Sequence, residues 1–487
     1  GFPMRYSAAQ IFFDYGHYNQ AISRFENIAK QIPSTKQGKS SVKVVLGLFS
    51  EQKNWDELIL RSRSYLQSKK LMVGGLKKIV EDRLKYGIYQ KALQLEKDKK
   101  YRESSELFLA FQREFPNDDS SDRSLYNALL NHYRVAEVDH ALNAGQRLLE
   151  FYPNSKLVPD VMLDMAHTNE SLARFDLAAK YYRKYARKYP KSNKASMALY
   201  NAATLYKGLK NYGTSIDLYN LYVTRYPRAK YRQQAYWEIP NVKVKQSDYK
   251  GAIKSFHLYN RVVGSKNPER FWLAKANIAN LELKYYSKKN GLAQMSSLRT
   301  QLNRKGAAPA LEARRIIARA LFNDLDISFT RFKDASFKSA RRLESDVKKQ
   351  QKTLKWLAGR YEKVMEIGCG EYIVASLFRL GELHENFADD LFNAPPPRGA
   401  SQVEVDQFRT SVEKVAFPLK EEAFKYYESA YLQSREVQTF TEWPRKSYLK
   451  MAEIAPERHP SVLEKSAMPE YMGHRMFWEE PVAALTN

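Results

Sequence analysis

Small, aromatic and apolar residues recur along the chain in steps of 37 residues. Each unit opens with an aromatic or apolar residue, which we call the anchor: Tyr18, Trp55, Tyr101, Val138, Phe175, Tyr212 and Tyr249. Only the step from Trp55 to Tyr101 is longer, by nine residues. Three residues after the anchor, six of seven units have a small residue: Ala21, Leu58, Ser104, Ala141, Ala178, Ser215 and Ala252. Seven residues after it, a ring is usual: Phe25, Ser62, Phe108, Gly145, Tyr182, Tyr219 and Phe256. Offsets of three and seven share one helix face, so each unit is predicted to contain an α-helix.

A proline and a preceding segment complete the unit. Proline stands 12 residues after the small position in five units, where it is predicted to end the helix: Pro33, Pro116, Pro153, Pro190 and Pro227. Twelve residues before the small position the residues are mostly small or apolar, as a first helix crossing the second requires: Ala9, Leu46, Ala92, Leu129, Ala166, Ala203 and Pro240. The pattern therefore predicts stacked helix hairpins. We expect the nine additional residues near Ser64 to Gly75, and a kink or a late start of the first helix at Pro240.

This small–small–aromatic–proline spacing resembles the tetratricopeptide repeat family. The resemblance implies an all-α fold, a right-handed superhelical solenoid of helix hairpins with a helical C-terminal extension. The version with Tyr-Pro turns resembles bacterial envelope proteins of that superfamily, of the outer-membrane assembly and periplasmic types. The pattern around Gly381-Glu382 and Trp443 is similar to large repeat proteins of delta-proteobacterial envelopes, some of them linked to gliding motility.

Three regions are predicted: a solenoid over 1–290, clearest from 101 to 263, a helical continuation over 291–394, and a C-terminal region over 395–487. Beyond Asn290 the predicted helices are Gly291 to Arg304 (ending at Lys305-Gly306), one starting at Pro309, Phe337 to Glu366, Glu371 to Phe392, Gln402 to Val415, Pro418 to Val437 and Glu442 to Ile454. The prolines from Pro395 to Pro397 are expected to form an extended hinge. The tail from Pro456 to Asn487, with Tyr471, Phe477 and Trp478, is expected to cap the solenoid, and a partner-binding strand is the alternative.

Composition adds a strong positive charge, +26 over 487 residues. This charge favours an anionic partner or surface, while a lysine-rich solvated surface explains it equally well. Arg299 to Arg360 is the most basic block, with 16 basic and 6 acidic residues, and we expect it to be the solvated face of a long helix rather than a grip for an anion. Glu371 to Lys414 is acidic, with 8 acidic and 4 basic residues, and could pair with that block inside the molecule. No run of 18 apolar residues exists, so no membrane span is predicted.

Catalytic and metal-binding motifs are missing from the sequence. It has no Gly-rich phosphate loop, no G-x-S-x-G elbow and no H-E-x-x-H helix. The eight histidines are scattered, so no metal and no cofactor are predicted, and His132 is expected to be a satisfied core histidine. Cys369, the single cysteine, could be exposed between two glycines, but no histidine lies near it in sequence, so a nucleophilic role is not expected. Glu428-Ser429 resembles the catalytic dipeptide of soluble lytic transglycosylases, but that family's downstream Gly-Leu-Met-Gln type segment is missing.

The resulting prediction is a non-enzymatic adaptor that binds a partner protein along the concave face of the repeats from Tyr101 to Tyr259. Polar residues of the first helices would contact an extended or acidic peptide: Asn127, Asn131, Asn201, Thr204, Lys207 and Lys243. We expect no small-molecule substrate, and association with an outer membrane or peptidoglycan in the periplasm. The start Gly1-Phe2-Pro3-Met4 shows no signal peptide, but a processed terminus would look the same, so it does not decide export; the cytoplasm is the alternative location. The alternative functions are a peptidoglycan-associated protein and a basic nucleic-acid-binding repeat protein, with nucleic acid the less expected partner.

Overall fold

The computed structural model describes residues 1–302, 304 and 309–460, and within these ranges it contains α-helices and no strand. The α-helices of the first half, in chain order, are α1 (Phe2–Asp14), α2 (Tyr18–Gln31), α3 (Lys36–Glu51), α4 (Trp55–Gln67), α5 (Leu76–Lys97), α6 (Tyr101–Glu114), α7 (Ser121–Arg134), α8 (Val138–Phe151), α9 (Val158–Ser171), α10 (Phe175–Lys188), α11 (Ala195–Gly208) and α12 (Tyr212–Arg225). Those that follow are α13 (Arg232–Lys245), α14 (Tyr249–Val262), α15 (Pro268–Tyr285), α16 (Lys288–Leu302), α17 (Leu311–Lys333), α18 (Leu343–Met365), α19 (Gly370–Phe392), α20 (Gln402–Glu436) and α21 (Glu442–Ile454).

The 37-residue pattern is confirmed as a series of helix hairpins. All seven anchors are the first residue of the second helix of a hairpin, from α2 to α14. Two residues before each anchor the backbone is left-handed, with φ between 56° and 77°, and only the first of these residues is a glycine. In the hairpin of α9 and α10, the N–H of Arg174 then donates to the carbonyl of Asn169 at 2.8 Å, which closes the end of α9. The same three-residue turn therefore reverses the chain in every hairpin.

The small position lies where the two helices of a hairpin cross. Ala178, Ser215 and Ala252 are all fully buried, as the repeat pattern predicts. Where this residue is serine, its hydroxyl donates to a first-helix carbonyl: Ser215 Oγ reaches the Ala203 oxygen at 2.8 Å. Ser104 makes the same bond in its own hairpin. A small side chain thus allows the helices to approach, and a hydroxyl group ties them together.

The repeated tyrosine-proline pairs end the second helices and join successive hairpins. Each of these tyrosines is the residue that follows the second helix, directly before the proline. The hydroxyl of Tyr152 donates to the Pro116 carbonyl at 2.7 Å. Tyr226 donates in the same way to Pro190 at 2.9 Å. The tyrosine therefore connects its turn to the equivalent turn of the preceding hairpin.

One prediction about the repeats is corrected, and one of the two alternatives at Pro240 is excluded. The nine additional residues mostly lengthen α5, which has 22 residues where α7 has 14, rather than the segment from Ser64 to Gly75. Leu76, Val80 and Leu84 are buried at intervals of four residues, so the added segment has its own apolar helix face. At Pro240 the first helix does not start late, because α13 begins 37 residues after α11 and continues through the proline.

Tertiary contacts divide the chain into two compact units, 1–235 and 236–487. Unit 1 contains the hairpins from α1 to α12. In the described part of unit 2, α17, α18 and α19 pack around Phe322, Leu357, Tyr361 and Phe387. The region boundaries at 290 and 394, and the right-handed sense of the superhelix, stay predictions.

The C-terminal helices differ from the prediction at Pro418. A single helix, α20, runs for 35 residues where two helices were expected. Pro418 and Lys414 are both exposed, so the carbonyl that loses its helical N–H partner can bond to water. Buried Ala416 and Ala423 on either side keep the helix packed against the protein. Packing therefore overrides the helix-breaking tendency of this proline.

Other expectations for the second half are confirmed or fall outside the described residues. The chain breaks at Gly368 and again between α19 and α20, where the three prolines lie. The acidic and basic blocks do pair: Arg315 lies 3.4 Å from Glu371, and Lys333 lies 4.0 Å from Glu382. The proposed cap from 461 onward and the helix end at Lys305-Gly306 lie outside the described residues. None of the described helices has the length and apolar character of a membrane span.

Candidate protein-binding face of the first helices

Tyrosine hydroxyls link the first helices of neighbouring hairpins in unit 1. The side-chain amide of Asn127 on α7 donates to Tyr89 OH on α5 at 3.3 Å. Between α7 and α9, Tyr133 OH lies 2.7 Å from Thr168 Oγ1. These contacts leave one side of α7, α9 and α11 half-buried and rich in polar groups. We call this side of the three helices the first-helix face.

The densest network on this face surrounds Tyr182, which reaches it from α10. Its hydroxyl donates to Glu170 Oε2 at 2.6 Å and lies 2.8 Å from His167 Nδ1. Asn201 on α11 also hydrogen-bonds to this hydroxyl. Burial, with Glu170 adding to it, raises the pKa of Tyr182, so the ring stays a neutral phenol. Tyr182 thus positions polar groups from two successive first helices.

Of the predicted contact residues, Asn127, Asn201 and Thr204 do lie half-buried on this face. Thr204 Oγ1 is 3.0 Å from Tyr219 OH and donates to a main-chain carbonyl of its own helix. Sequence reasoning placed them on the first helices but missed that tyrosine hydroxyls hold them in place.

Asn131, Lys207 and Lys243 are placed differently. Asn131 is fully buried and donates to Ser104 Oγ at 3.0 Å, so it joins helices and has no surface with which to contact a partner. Lys207 is half-buried on α11 in unit 1, whereas Lys243 is half-buried on α13 in unit 2. The predicted six residues therefore do not form one described site.

The sequence analysis missed a pair of carboxylates on α9, Asp160 and Asp164. Asp164 is half-buried, and burial together with the charge of Asp160 raises its pKa. Burial and the charges of these two carboxylates raise the pKa of the Tyr126 phenol on α7. Lys194 lies 3.5 Å from Asp160 and offsets part of the charge. Like charges four residues apart on one helix face are unfavourable, and that signal was readable in the sequence.

The second helix of the same repeat has the opposite charge. Asp176 is the single acidic side chain that α10 exposes. The helix also exposes five basic side chains: Lys180, Arg183, Lys184, Arg187 and Lys188. The first-helix face is therefore locally acidic at α9, while the outward side of α10 is basic.

The candidates for catalysis lose support from their positions. Cys369 is buried, and burial raises the pKa of its thiol, which disfavours the reactive thiolate. Glu428 is exposed within α20, far from the helix start that the transglycosylase likeness requires. His132 is buried, as expected, and its Nδ1 lies 2.8 Å from Glu137 Oε2, but its buried Nε2 has no hydrogen-bond partner among the described residues, so the histidine is satisfied only in part.

Comparisons with known proteins agree with the hairpin architecture. Residues 160–192 and 197–229, which cover α9–α10 and α11–α12, match the tetratricopeptide repeat family. No curated protein sequence matches the chain. A solved tetratricopeptide repeat protein from Parabacteroides merdae is similar at 14% identity, with 58% of this chain and 98% of that chain covered and a TM-score of 0.26.

Two further solved structures are PilW, described as a widely conserved type IV pilus biogenesis factor, and pilF of Pseudomonas aeruginosa. PilW shares 13% identity over 46% of this chain and 96% of its own, with a TM-score of 0.24. The pilF protein shares 17% identity over 49% and 97%, with a TM-score of 0.23. These TM-scores are low, so the assignment depends on the family match and on the hairpins themselves.

Helix hairpins nested through small residues define the class of helical-repeat proteins. Residues 160–229 of this chain contain two consecutive tetratricopeptide repeats, whose matched segments start 37 residues apart.

Proposed function

We propose that the chain is a protein-binding scaffold whose first-helix face, on α7, α9 and α11, holds an extended segment of a partner protein. Asn127 uses one amide proton on Tyr89, which leaves its amide oxygen and second proton for a peptide backbone. Half-buried tyrosines beside it supply apolar area with little loss of side-chain freedom on binding. The face thus combines fixed apolar walls with polar groups that retain bonding capacity.

The charges on this face select the side chains of the bound segment. Asp164 and Asp160, beside the ring of Tyr126, suit a lysine or arginine of the partner. Lys207 on α11 suits an acidic side chain further along, which keeps part of the predicted preference for acidic segments. We therefore propose that the partner segment carries both charges, with its basic residue at α9.

The half-burial of Asp164 beside a second carboxylate is the observation that carries this proposal. Its raised pKa means that the folded protein disfavours the charged form. The nearby groups of His167 and Lys194 offset only part of this cost, so the pKa of Asp164 stays raised. Unfavourable charges of this kind are common at functional sites, because a ligand relieves them.

The test is a peptide selection on the full-length chain. Peptides from a random display library that bind the chain are re-measured by isothermal titration with Asp164→Asn and with Asp176→Asn, the exposed carboxylate on α10 of the same repeat. We expect Asp164→Asn to weaken binding about tenfold, roughly 1.4 kcal/mol, and Asp176→Asn to leave it unchanged. Equal affinities for all three proteins would remove α9 from the binding face.

The setting that we propose is the bacterial cell envelope, with a location in the periplasm. The support is the likeness of the Tyr-Pro version of the repeat to envelope proteins of this superfamily. Fractionation of cells that produce the natural full-length protein decides between this setting and the cytoplasm. Co-sedimentation with purified peptidoglycan and with single-stranded RNA tests the two alternative functions, and binding to RNA that disappears steeply with salt would favour the nucleic-acid alternative.

A further inference from the structure

One hairpin turn in unit 1 brings together three side chains that ligate metals. His132 ends α7, Glu137 precedes α8, and His140 lies in the first turn of α8. One nitrogen of each histidine and one oxygen of Glu137 all lie within 4.8 Å of one another. Glu137 Oε2 is 2.8 Å from His132 Nδ1 and 4.0 Å from His140 Nδ1. We propose that His132, Glu137 and His140 bind a divalent transition-metal ion, with zinc the reference ion.

The turn itself does not require these residues. The equivalent turns one repeat before, one after and two after have the same left-handed residue two positions before the anchor. At the three ligand positions, in the same order, those turns have different residues: Leu95, Lys100 and Glu103; Asn169, Arg174 and Leu177; Tyr206, Asn211 and Thr214. The turn therefore forms with many different side chains at these positions. Among the four turns compared, the two imidazoles and the carboxylate come together in that of α7 and α8, and the turn geometry does not explain them.

The chemistry of the three groups suits zinc and its neighbours in the periodic table. Two imidazole nitrogens and one carboxylate oxygen form a donor set that is common in zinc sites with an open fourth position for water. Arg102 Nε donates to Glu137 Oε1 at 2.7 Å, which leaves Oε2 directed at the histidines. Such an outer partner fixes the orientation of a ligating group.

The geometry needs a rotation of His140, whose ring stacks on that of His132 with the ring centroids 5.3 Å apart. Zinc–nitrogen and zinc–oxygen bonds of about 2.0–2.1 Å place ligand atoms roughly 3.3 Å apart in a tetrahedron. The contact of 2.8 Å between His132 and Glu137 must open slightly, and the 4.0 Å from His140 to Glu137 must close slightly. The side chain of His140 is 72% exposed, so it can rotate toward the ion without disturbing the core. The buried His132 is 5% exposed and keeps its position, so it anchors the site.

The experiment is a titration of the untagged, metal-free full-length chain with zinc chloride, followed by calorimetry, and with cobalt chloride, followed by visible absorption. We expect one saturable site and, for cobalt, the intense absorption of a four-coordinate ion. His140→Ala should weaken zinc binding by about tenfold or more, since loss of even an outer partner costs 10- to 100-fold. His257→Ala, at an exposed histidine on α14, is the matched control and should bind as the unchanged protein does.

Glu137→Gln is the second variant, and circular dichroism of all variants checks that they fold. Absence of a saturable site, or equal zinc affinity of the unchanged protein and His140→Ala, would overturn the assignment.

Discussion

Gly381 offers a test of close helix packing in which the size of the effect follows from the geometry. A Cβ atom at this position of α19 would lie 2.5 Å from Cε1 of Tyr427 on α20. Ordinary contact begins near 3.4 Å, so ring and helix would have to separate by about 1 Å. The ring cannot easily yield, because it is fully buried and its hydroxyl donates to the buried Glu385 at 2.6 Å. Overpacking of this kind costs about 1–3 kcal/mol.

Gly359 is the matched control, since it lies inside α18 with no neighbouring atom within 4 Å of an added Cβ. Replacing glycine by alanine inside a helix contributes up to about 1 kcal/mol of stability at either site. Gly359→Ala should therefore stabilise unit 2, whereas Gly381→Ala should be less stable than that control by about 1–3 kcal/mol. At about 2–4 °C per kcal/mol, calorimetry should separate the two variants by several degrees.

Hydrogen exchange gives the local measurement that a protein of this size needs, because its unfolding need not be two-state. Amides of α19 and α20 should exchange faster in Gly381→Ala than in Gly359→Ala. Equal melting temperatures and equal exchange for the two variants would refute the reasoning, because the close contact with Tyr427 would then carry no energetic cost.

Three further predictions concern unit 1. Ser215→Ala removes the hydrogen bond from the serine hydroxyl to the Ala203 carbonyl and should destabilise its hairpin by about 1 kcal/mol. Ser215→Leu should cost more, because the site is fully buried and has no room for a larger side chain. Urea unfolding measures both variants, and a leucine variant as stable as the unchanged protein would contradict the packing argument. Tyr152→Phe removes the bond to Pro116 and should raise amide exchange in the turns it joins while leaving distant helices unchanged. Asp164→Asn should stabilise the protein at pH 7, and this gain should disappear toward pH 3–4. In the folded protein the pKa of Asp164 is raised above its usual value of 3.8. The protein with the native aspartate therefore loses stability as the pH rises from 3.8 through the raised pKa, and asparagine avoids that loss. A gain that is the same at both pH values would show that charge is not the cause.

Most of the repeat architecture could be predicted from residue spacing. The anchor marks the start of a helix, the small residue marks the point where two helices cross, and the proline marks the end of a helix. Each of these is a local constraint that the sequence shows directly. The same reasoning failed at Pro418, where a single helix continues through the proline. A local rule gives the tendency of one residue, whereas packing on both sides of it decides whether the helix continues.

The candidate sites could be predicted only in part. Helical periodicity placed Asn127 and Asn201 on the first helices, and the structure keeps them half-buried there. Asn131 also followed the pattern, but its burial depends on Ser104 of the preceding helix, which spacing alone does not reveal. His132 and His140 looked scattered in the sequence because a turn between two helices, and not a motif of fixed spacing, brings them together.

The most direct test of the scaffold proposal is hydrogen–deuterium exchange of the full-length chain with and without a saturating selected peptide. The account predicts that protection concentrates in α7, α9 and α11, and that it weakens in Asp164→Asn at the same peptide concentration. Protection confined to the second helices α8, α10 and α12, or to unit 2, would contradict it.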